Sequence, residues 1–311
     1  MLRHFKNAPT RESAGRDLVD PEVLDSIARS YVSASESDRR KLEEQFSLAL
    51  HNLRMAGVYK RTNPRRLPLT EAAILELVPN EFRDECRILD IGASDGITTV
   101  ELLERLRASW GSGVSAVMAD INLWVERYRL GPVLEYREAS GDQVLVRLGD
   151  RAFRTVKEEP TEKGLSRTKK LRGIARSSYW HFWRATRPWM RFAGRLSLVN
   201  PRAVTCPGLE PRVLNCLVRD DSLIEGFHCV RASNILNIDY FRRDQLRLAL
   251  VSLHAYLKEG GGLVISRNEG DVAEETEHGT FWVKAGDQFV TRGNFGRGSE
   301  IKDLVDAFRA P

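Results

Sequence analysis

A short apolar stretch that ends in a glycine-rich turn, with a helix after it, constrains the fold more than any other feature of the chain. Residues 87–92, Arg-Ile-Leu-Asp-Ile-Gly, predict a buried strand, and the following helix places Val100, Leu103 and Leu106 on one face. The turn between them, residues 90–96, reads Asp-Ile-Gly-Ala-Ser-Asp-Gly. A strand, a tight turn and a helix in this order typically bind a nucleotide-like ligand at the carboxyl end of a sheet.

The spacing of the two glycines excludes two common nucleotide-binding loops. The pattern is Asp-x-Gly-x-x-x-Gly, so it is neither the Gly-x-Gly-x-x-Gly of dinucleotide sites nor a P-loop ending in Gly-Lys-Ser/Thr. Gly92 and Gly96 are expected to let the backbone approach a ligand closely. The carboxylate of Asp90 suits a ligand with an ammonium group or hydroxyls, and it would repel a pyrophosphate.

Strands and helices alternate beyond this turn. Further strands are predicted at 114–120, 212–218, 228–233 and 262–266, with a long amphipathic helix at 240–257. This alternation predicts an α/β fold with a doubly wound, mostly parallel, Rossmann-like sheet of seven strands. Residues 280–284 and 288–292 predict a closing antiparallel hairpin, and a last helix is expected after Ser299.

Two regions stand outside the alternation. Residues 1–69 predict a helical N-terminal extension, whose first helix carries Val23, Ile27 and Tyr31 on one face. The sheet domain then spans 70–311, begins with a short helix that Thr70 caps, and is interrupted by an insertion at 121–200. Within the insertion, residues 134–138 and 143–148 flank Ala-Ser-Gly-Asp and predict a hairpin.

The insertion also carries the positive charge of the chain. The formal net charge is +5, but residues 151–195 alone hold 13 Lys or Arg and 3 Glu. This segment therefore carries +10, and the rest of the chain carries −5. We expect a helix with Arg184, Arg187, Arg191 and Arg195 along one stripe and with Tyr179 and Trp183 on another face, divided or kinked by Pro188.

Three interpretations of this basic, aromatic insertion remain open. The favoured one is a cap that packs its aromatic rings on the sheet and forms the acceptor pocket. The predicted substrate contacts in this cap are Tyr179, Trp183, Arg184, Arg187 and Arg191. The second is a helix in a membrane interface, which would bring the protein to a lipophilic acceptor. Docking of nucleic acid through phosphate contacts and base stacking is the third and least favoured.

The turn and the acidic residues around it resemble motif I and its neighbours in the class I S-adenosylmethionine (SAM)-dependent methyltransferases, from about residue 70 to the C-terminus. This resemblance implies that Asp90, Gly92, Ser94 and Gly96 cradle the methionine part of SAM, with Ala93, Asp95 and Ile121 as further contacts. It also implies that Asp120, after the second strand, binds the ribose hydroxyls. Asp220 or Asp221, after the third strand, would bind the adenine amine.

A more local resemblance involves the fourth and fifth strands. The segment from Phe227 through Asn234 to Phe241, together with residues 257–269, is similar to the chemotaxis receptor glutamate methyltransferases, which carry Arg-Asn-x-Leu-Ile-Tyr-Phe after the fourth strand. Two extra residues precede Tyr240 here, and Arg231 is not adjacent to Asn234. We therefore carry over the SAM fold and not the receptor substrate. Asn234 is the predicted residue facing the reacting centre, with a capping role at the strand end as the alternative.

The chemistry expected is methyl transfer to an oxygen, either a carboxylate or a hydroxyl, of a small or lipophilic acceptor. A carboxylate needs no base, whereas a hydroxyl does. The candidates near the chemistry are Asn234, His228, His181 and Tyr240, although His228 also fits a buried core histidine. The alternative function is an RNA or protein methyltransferase that docks its substrate on residues 151–195.

Other sequence features bear on metal dependence and cellular location. The sequence shows no metal-ligand spacing, so a metal-independent enzyme is predicted. Four cysteines without a Cys-x-x-Cys pair indicate free thiols and a cytoplasmic location, with peripheral membrane contact as the alternative. No secretory signal is expected in the first 20 residues, and the oligomeric state stays open.

Overall fold

The computed structural model describes residues 21–51, 54–55, 58–59, 62–141, 143–148, 151–153, 185, 187–270 and 275–311. The helices described are α1 (Glu22–Ser33), α2 (Glu36–His51), α3 (Pro68–Leu77), α4 (Ile97–Trp110), α5 (Pro201–Thr205), α6 (Arg243–Tyr256) and α7 (Lys302–Asp306). The strands described are β1 (Arg54–Met55), β2 (Val58–Tyr59), β3 (Arg87–Ile91), β4 (Ser115–Asp120), β5 (Trp124–Leu130), β6 (Val133–Arg137), β7 (Gln143–Leu148), β8 (Arg151–Phe153), β9 (Arg191–Ser197), β10 (Leu209–Val213), β11 (Phe227–Ser233), β12 (Leu257–Glu269), β13 (Thr276–Ala285) and β14 (Gln288–Phe295).

The main sheet has seven strands within the described residues, in the order β10-β4-β3-β11-β12-β13-β14. The first five of these are parallel, and β13 runs antiparallel to both β12 and β14. The predicted α/β class, the doubly wound parallel sheet and the closing hairpin are therefore confirmed. The hairpin strands are longer than the sequence predicted.

Helices cover both faces of this sheet, as a doubly wound arrangement requires. On one face, α6 and α7 pack apolar side chains against the central strands, with Leu250, Leu253 and Val305 fully buried. On the other face, α3 and α4 bury Ile74, Leu102 and Leu106. The carboxyl ends of the five parallel strands therefore emerge between two helical layers.

The insertion forms a second sheet, which is antiparallel and has the strand order β8-β7-β6-β5-β9 among the described residues. Its hairpin of β6 and β7 confirms the one expected around residues 139–142. Helices α1 and α2 pack on this sheet and share a core with it that includes Leu24, Phe46, Leu50, Val125 and Tyr136. The N-terminal extension and the insertion thus form one layered unit beside the carboxyl edge of the main sheet.

The prediction of a helix through the arginines of the insertion is wrong for residues 187–195, the part of it that the structure describes. Arg187–Trp189 is a single 3-10 turn, and Arg191–Ser197 is strand β9. A spacing of four residues places two side chains on the same side of a strand as well as of a helix, so the arginine pattern could not separate the two. Pairing with β5 decides for the strand, because it buries Leu196 beside Val125. Tyr179, His181, Trp183 and Arg184 lie outside the described residues.

Two other boundaries differ from the expected ones. The third parallel strand is Leu209–Val213 rather than 212–218, because β10 is an edge strand and therefore tolerates Pro211. Helix α1 buries Leu24 rather than Val23, which is 43% exposed.

The start of α3 is also different from the expectation that Thr70 caps it. The helix begins at Pro68, and its cap comes from another part of the chain. Glu277 of β13 accepts hydrogen bonds from the backbone N–H groups of Leu69 (2.7 Å) and Thr70 (2.9 Å). A carboxylate at this position satisfies open N–H groups and interacts favourably with the helix dipole.

In the part of the chain that the structure describes, no helix is both long and apolar enough to span a bilayer.

The packing of α1 on the second sheet yields a direct test. Replacement of Leu24, which is 1% exposed, by Ala is expected to lower the free energy of unfolding by about 2–5 kcal/mol, because it leaves a cavity in the shared core. The neighbouring Val23→Ala change should cost less than about 1 kcal/mol. Urea denaturation of both variants measures the difference, and equal losses would contradict the packing of this helix face.

Candidate functional site

The strand order reverses beside β3, and this point defines the candidate site. From β3 the chain passes to β4 and β10 on one side, and it later returns to β11 and β12 on the other. In open α/β sheets the crevice at such a reversal, at the carboxyl ends of the strands, is the usual ligand position. The glycine turn after β3, Asp120 at the end of β4 and Asn234 after β11 all lie there.

The two glycines of the turn are required by the packing of the chain itself. Both have the left-handed backbone that favours glycine, with φ of +73° at Gly92 and +83° at Gly96. A β-carbon at Gly92 would lie 2.9 Å from Cβ of Ile235, and one at Gly96 would lie 2.5 Å from Sδ of Met118. Their expected close approach to a ligand stays a prediction.

The turn is bonded to the neighbouring strand. The N–H groups of Gly92 and Ala93 both donate to the carbonyl of Ala119, at 2.8 and 3.1 Å. The N–H of Ser94 donates to Oδ2 of Asp120 at 2.9 Å. The structure therefore brings together the loop and the acidic residue that the sequence predicted as two parts of one ligand site.

One polar atom of this loop has no partner. The hydroxyl oxygen of Ser94 is buried and makes no hydrogen bond within the described part of the chain. Ser94 also has a positive φ of +57°, which is uncommon for a residue other than glycine. A buried hydroxyl is normally hydrogen-bonded, so this one fits a loop that binds a polar ligand.

Apolar surface flanks the Asp120 carboxylate. Ile121 follows it directly and is 39% exposed, and Val213 of β10, which is level with Asp120, is exposed to the same extent. The sequence pointed to Ile121 but missed Val213, because the third strand was predicted too far along the chain. An acid between two exposed apolar side chains suits a ligand with hydroxyls attached to a flat ring.

Asp90 has an internal partner. Both of its carboxylate oxygens accept from the guanidinium of Arg231 on β11, at 2.8 and 2.5 Å, and Thr99 of α4 donates to it at 2.5 Å. Asp90 is 2% exposed and Arg231 is 0% exposed. In this structure Asp90 neutralises a buried arginine beneath the turn, and its predicted contact with a ligand stays untested.

Asp95 connects the turn to the N-terminal extension and to the end of the insertion. Its carboxylate accepts from Ser47 of α2 (2.6 Å), from Thr62 (2.7 Å) and from the side-chain amide of Asn200 (3.3 Å). It also caps α4 by accepting from the N–H of Ile97. This fully buried residue therefore anchors the second unit of the protein to the candidate site.

Asn234 lies at the carboxyl end of β11 with a positive φ of +61°. Its side-chain oxygen accepts from the N–H of Asn268 at 2.7 Å, and its own N–H donates to the carbonyl of Ser266 at 2.8 Å. Asn268, which the sequence did not single out, thus orients Asn234 at the crevice. Tyr240 is half-buried in the segment that follows.

Asp220 and Asp221 are not brought to the glycine turn. They lie on the loop that returns from the carboxyl end of β10 to the amino end of β11, where the N–H of Asp220 donates to the hydroxyl of Tyr256. The Ser222 hydroxyl lowers the pKa of Asp220, and the Asp220 carboxylate also accepts from Arg212 at 2.8 Å. The first polar residue after β10 is instead Asn215.

His228 lies at the opposite edge of the sheet. It is at the amino end of β11, and the strand from His228 to Ser233 is about 16 Å long. Its Nδ1 accepts from the N–H of Arg87 at 2.9 Å, and its Nε2 is 3.0 Å from Nζ of Lys258. Burial, with the Lys258 ammonium, lowers the pKa of His228. Among the described residues, no group of three or more His, Cys, Asp or Glu could hold a metal ion.

Comparison with known proteins finds only low similarity. No protein-family model and no curated protein sequence matches the chain. Among solved structures, the CMeT domain of citrinin polyketide synthase is 15% identical over 79% of this chain and 43% of its own, with a TM-score of 0.33.

Two further structures are similar to the same degree. The trans-methyltransferase CalH in complex with SAH is 15% identical over 80% of this chain and 54% of its own, with a TM-score of 0.32. PKMT2 from Rickettsia typhi in complex with AdoHcy is 14% identical over 68% of this chain and 25% of its own, with a TM-score of 0.30. The chain thus spans about half or less of the length of these structures, and the fold rests on its own strand order.

The ion pair beneath the turn can be tested by a double-mutant cycle. Arg231→Met is expected to lower the free energy of unfolding by about 3–5 kcal/mol, because it leaves the Asp90 carboxylate buried without its counter-ion. The Asp90→Asn/Arg231→Met double variant should lose less than the sum of the single variants. As a control, Arg242→Met removes an exposed pair with Asp244 and should cost under about 1 kcal/mol. Additive losses in urea denaturation would contradict the coupling.

Proposed function

We propose that the protein is a SAM-dependent methyltransferase that binds its cofactor in the crevice between the glycine turn, β4 and β11. The observation that carries this proposal is the hydrogen bond from Ser94 N–H to Asp120, because it joins a turn at the point of strand reversal to an acidic group on the next strand. When bound, SAM supplies a methyl group on a positively charged sulfur.

The residues around the crevice fit such a ligand. Asp120 would accept the ribose hydroxyls, and Ile121 and Val213 would contact the adenine ring. The unpartnered hydroxyl of Ser94 would bind a polar group of the methionine end. Because a turn that is already hydrogen-bonded needs no ordering, less free energy is lost on binding.

We further propose that the acceptor atom is an oxygen, from a carboxylate or a hydroxyl, on a small or lipophilic molecule. Asn234 and Tyr240 lie on the segment beside the crevice, where the acceptor would be oriented. Positioning of donor and acceptor can supply a large part of the acceleration in such a displacement. The four free cysteines fit an enzyme of the reducing cytoplasm.

One observation favours the second candidate, an RNA or protein methyltransferase that docks on the insertion. Arg191 of β9 lies directly opposite Arg129 of β5, and neither makes an ion pair with a described residue. Two exposed rings are close to Arg191 in the chain: Trp189 is 74% exposed, and Phe192, which is 57% exposed, follows Arg191 on the other face of β9. Opposed arginines beside exposed rings suit phosphate groups from RNA or from an anionic membrane surface.

Calorimetry with S-adenosylhomocysteine tests the cofactor assignment. The wild-type protein is expected to bind it, and Asp120→Ala should weaken binding by about 10- to 100-fold, since hydrogen bonds to a charged group contribute about 1.5–3 kcal/mol. Asp244→Ala, which changes an exposed acid at the start of α6, serves as the control. Absence of binding to wild type, or equal binding by both variants, would refute the assignment.

Transfer of radiolabel identifies the acceptor class. With methyl-labelled SAM and fractionated cell extract, we expect label in molecules that are small or extractable into organic solvent. Label that is sensitive to ribonuclease or protease supports the second candidate. In that case Arg129→Gln/Arg191→Gln should reduce both docking and the salt dependence of binding.

A further inference from the structure

Four buried polar side chains form a continuous row along the carboxyl edge of the main sheet. The hydroxyl oxygens of Ser233 (β11) and Ser266 (β12) are 2.7 Å apart, and that of Ser266 is 2.8 Å from Oγ1 of Thr70 on α3. The Thr70 hydroxyl also hydrogen-bonds Oε1 of Glu277 on β13. All four residues are less than 9% exposed. The row links the strand end beside Asn234 to a buried carboxyl group.

The direction of these hydrogen bonds follows from the number of protons. A hydroxyl has one proton to donate, and an ionised carboxylate can only accept. The Thr70 hydroxyl is placed to donate to either Ser266 or Glu277, and it has one proton for the two. When Glu277 is ionised and takes that proton, Ser266 donates to Thr70 and Ser233 to Ser266. This order leaves the Ser233 oxygen with acceptor capacity alone, and a group bound against it must be a donor.

The open end of the row is beside the glycine turn. In the pairing of β11 with β3, Arg231 is level with Asp90, and Ser233 lies two residues further toward the carboxyl end, on the side of the sheet edge where the glycine turn begins. Residues two apart on a strand share a face, and Arg231 contacts Thr98 at the start of α4. The Ser233 side chain therefore lies on the α4 side of the sheet, at the crevice where the cofactor is proposed to bind.

The surroundings of Glu277 can accommodate both the ionised and the protonated carboxyl group. Besides the Thr70 hydroxyl, its carboxylate accepts two backbone N–H groups of α3, which also hydrogen-bond a neutral carboxyl oxygen. Burial raises the pKa of Glu277, and the nearby Glu71 carboxylate adds to the rise. The other charged groups around it are Arg105, which pairs with Glu71, and the Arg66–Glu275 pair just before β13.

We propose that this row is a proton relay, through which a hydroxyl acceptor bound against Ser233 transfers its proton to Glu277. The inference rests on the proposed methyltransferase function and narrows the acceptor to an alcohol or a phenol. Ser233 accepts the proton of the acceptor and passes its own to Ser266, which passes its proton to Thr70. Thr70 in turn protonates Glu277.

Atoms and charges balance in this step. The acceptor oxygen keeps the electron pair of its O–H bond and forms the new O–C bond to the methyl group. The electron pair of the broken C–S bond stays on sulfur, so the positive charge of the sulfonium disappears. The negative charge of Glu277 disappears with it, because the carboxylate becomes a carboxylic acid, and no other reactant is needed.

The relay can be broken without removing the cap of α3. Thr70→Val and Ser266→Ala each delete one hydroxyl and retain the backbone N–H groups that bind Glu277. We expect both to slow methyl transfer from labelled SAM to the acceptor-containing extract fraction by about 10²-fold, as loss of general base catalysis does. Thr70→Ser keeps the hydroxyl and should retain the rate. Ser252→Ala, which removes another buried serine hydroxyl, is the control and should leave it unchanged.

Two further readouts separate a relay from a structural role. The wild-type rate should fall at low pH as Glu277 becomes protonated, and the Ser266→Ala variant should lose this dependence. The affinity for S-adenosylhomocysteine should be the same in wild type, Thr70→Val and Ser266→Ala. If these variants lose affinity and not rate, the row orients the cofactor and the relay is refuted.

The chemical stability of the methylated product also tests the relay, because it distinguishes a hydroxyl acceptor from a carboxylate acceptor. A methyl ether survives mild base, whereas a methyl ester releases methanol, so base-labile label would show a carboxylate acceptor and refute the relay. Failure of the wild-type protein to bind S-adenosylhomocysteine would refute the proposed function itself, which distinguishes that failure from failure of the relay alone.

Infrared spectroscopy of the protein without ligand supplies an independent test. The carboxyl band that is absent in Glu277→Gln should titrate above the ordinary glutamate pKa of 4.5, and Ser266→Ala should shift its frequency. A band that titrates at the ordinary value and does not respond to Ser266→Ala would refute the connection.

Discussion

The ion pair between Asp90 and Arg231 is the interaction on which the candidate site depends. It joins the ends of β3 and β11, the two strands between which the chain order reverses, and it is fully enclosed by the sheet and α4. A buried pair of this kind adds little net stability but imposes one arrangement, because any displacement leaves a charge without its partner. Because the pair fixes β3 relative to β11, it also fixes the glycine turn after β3 relative to Asn234 after β11.

Above this pair, the turn is held by contacts from parts of the chain that are distant in sequence. Asp120 bonds it from β4, Ile235 lies against Gly92, and Asp95 binds side chains from α2 and from Asn200. The N-terminal helices and the second sheet are therefore structural components of the site. A deletion of the N-terminal helices would remove Ser47 as a donor to the buried Asp95 carboxylate, and a deletion of the insertion would remove Asn200, so neither is expected to be dispensable.

The sequence was sufficient to predict those features that depend on local pattern. Period-two apolar strands, the glycine turn and the closing hairpin are of this kind, and so is the placement of Asp120 beside the turn. It could not show that Arg231 neutralises Asp90, because that pairing depends on the register of strands 141 residues apart. Nor could it separate helix from strand at 191–197, where a spacing of four fits both. Because Pro211 was read as lying outside the strand, the third strand was predicted at 212–218 and not at Leu209–Val213. Val213 and Asn215 were therefore not identified as residues at its carboxyl end.

The two buried acids at the carboxyl edge, Asp90 and Glu277, differ in the groups that hydrogen-bond their carboxylates. This difference separates their roles. Both oxygens of Asp90 are bound by the guanidinium of the fully buried Arg231, for which Asp90 is the counter-ion. Glu277 accepts only from N–H groups and a hydroxyl, and a neutral carboxyl group retains most of these bonds. Glu277 is therefore the acid that we connect to the crevice through the row of hydroxyl groups, although Asp90 is the acid that the motif emphasises. The structural acid is thus the one that a sequence motif reveals, and the acid suited to proton transfer lies on an antiparallel strand outside it.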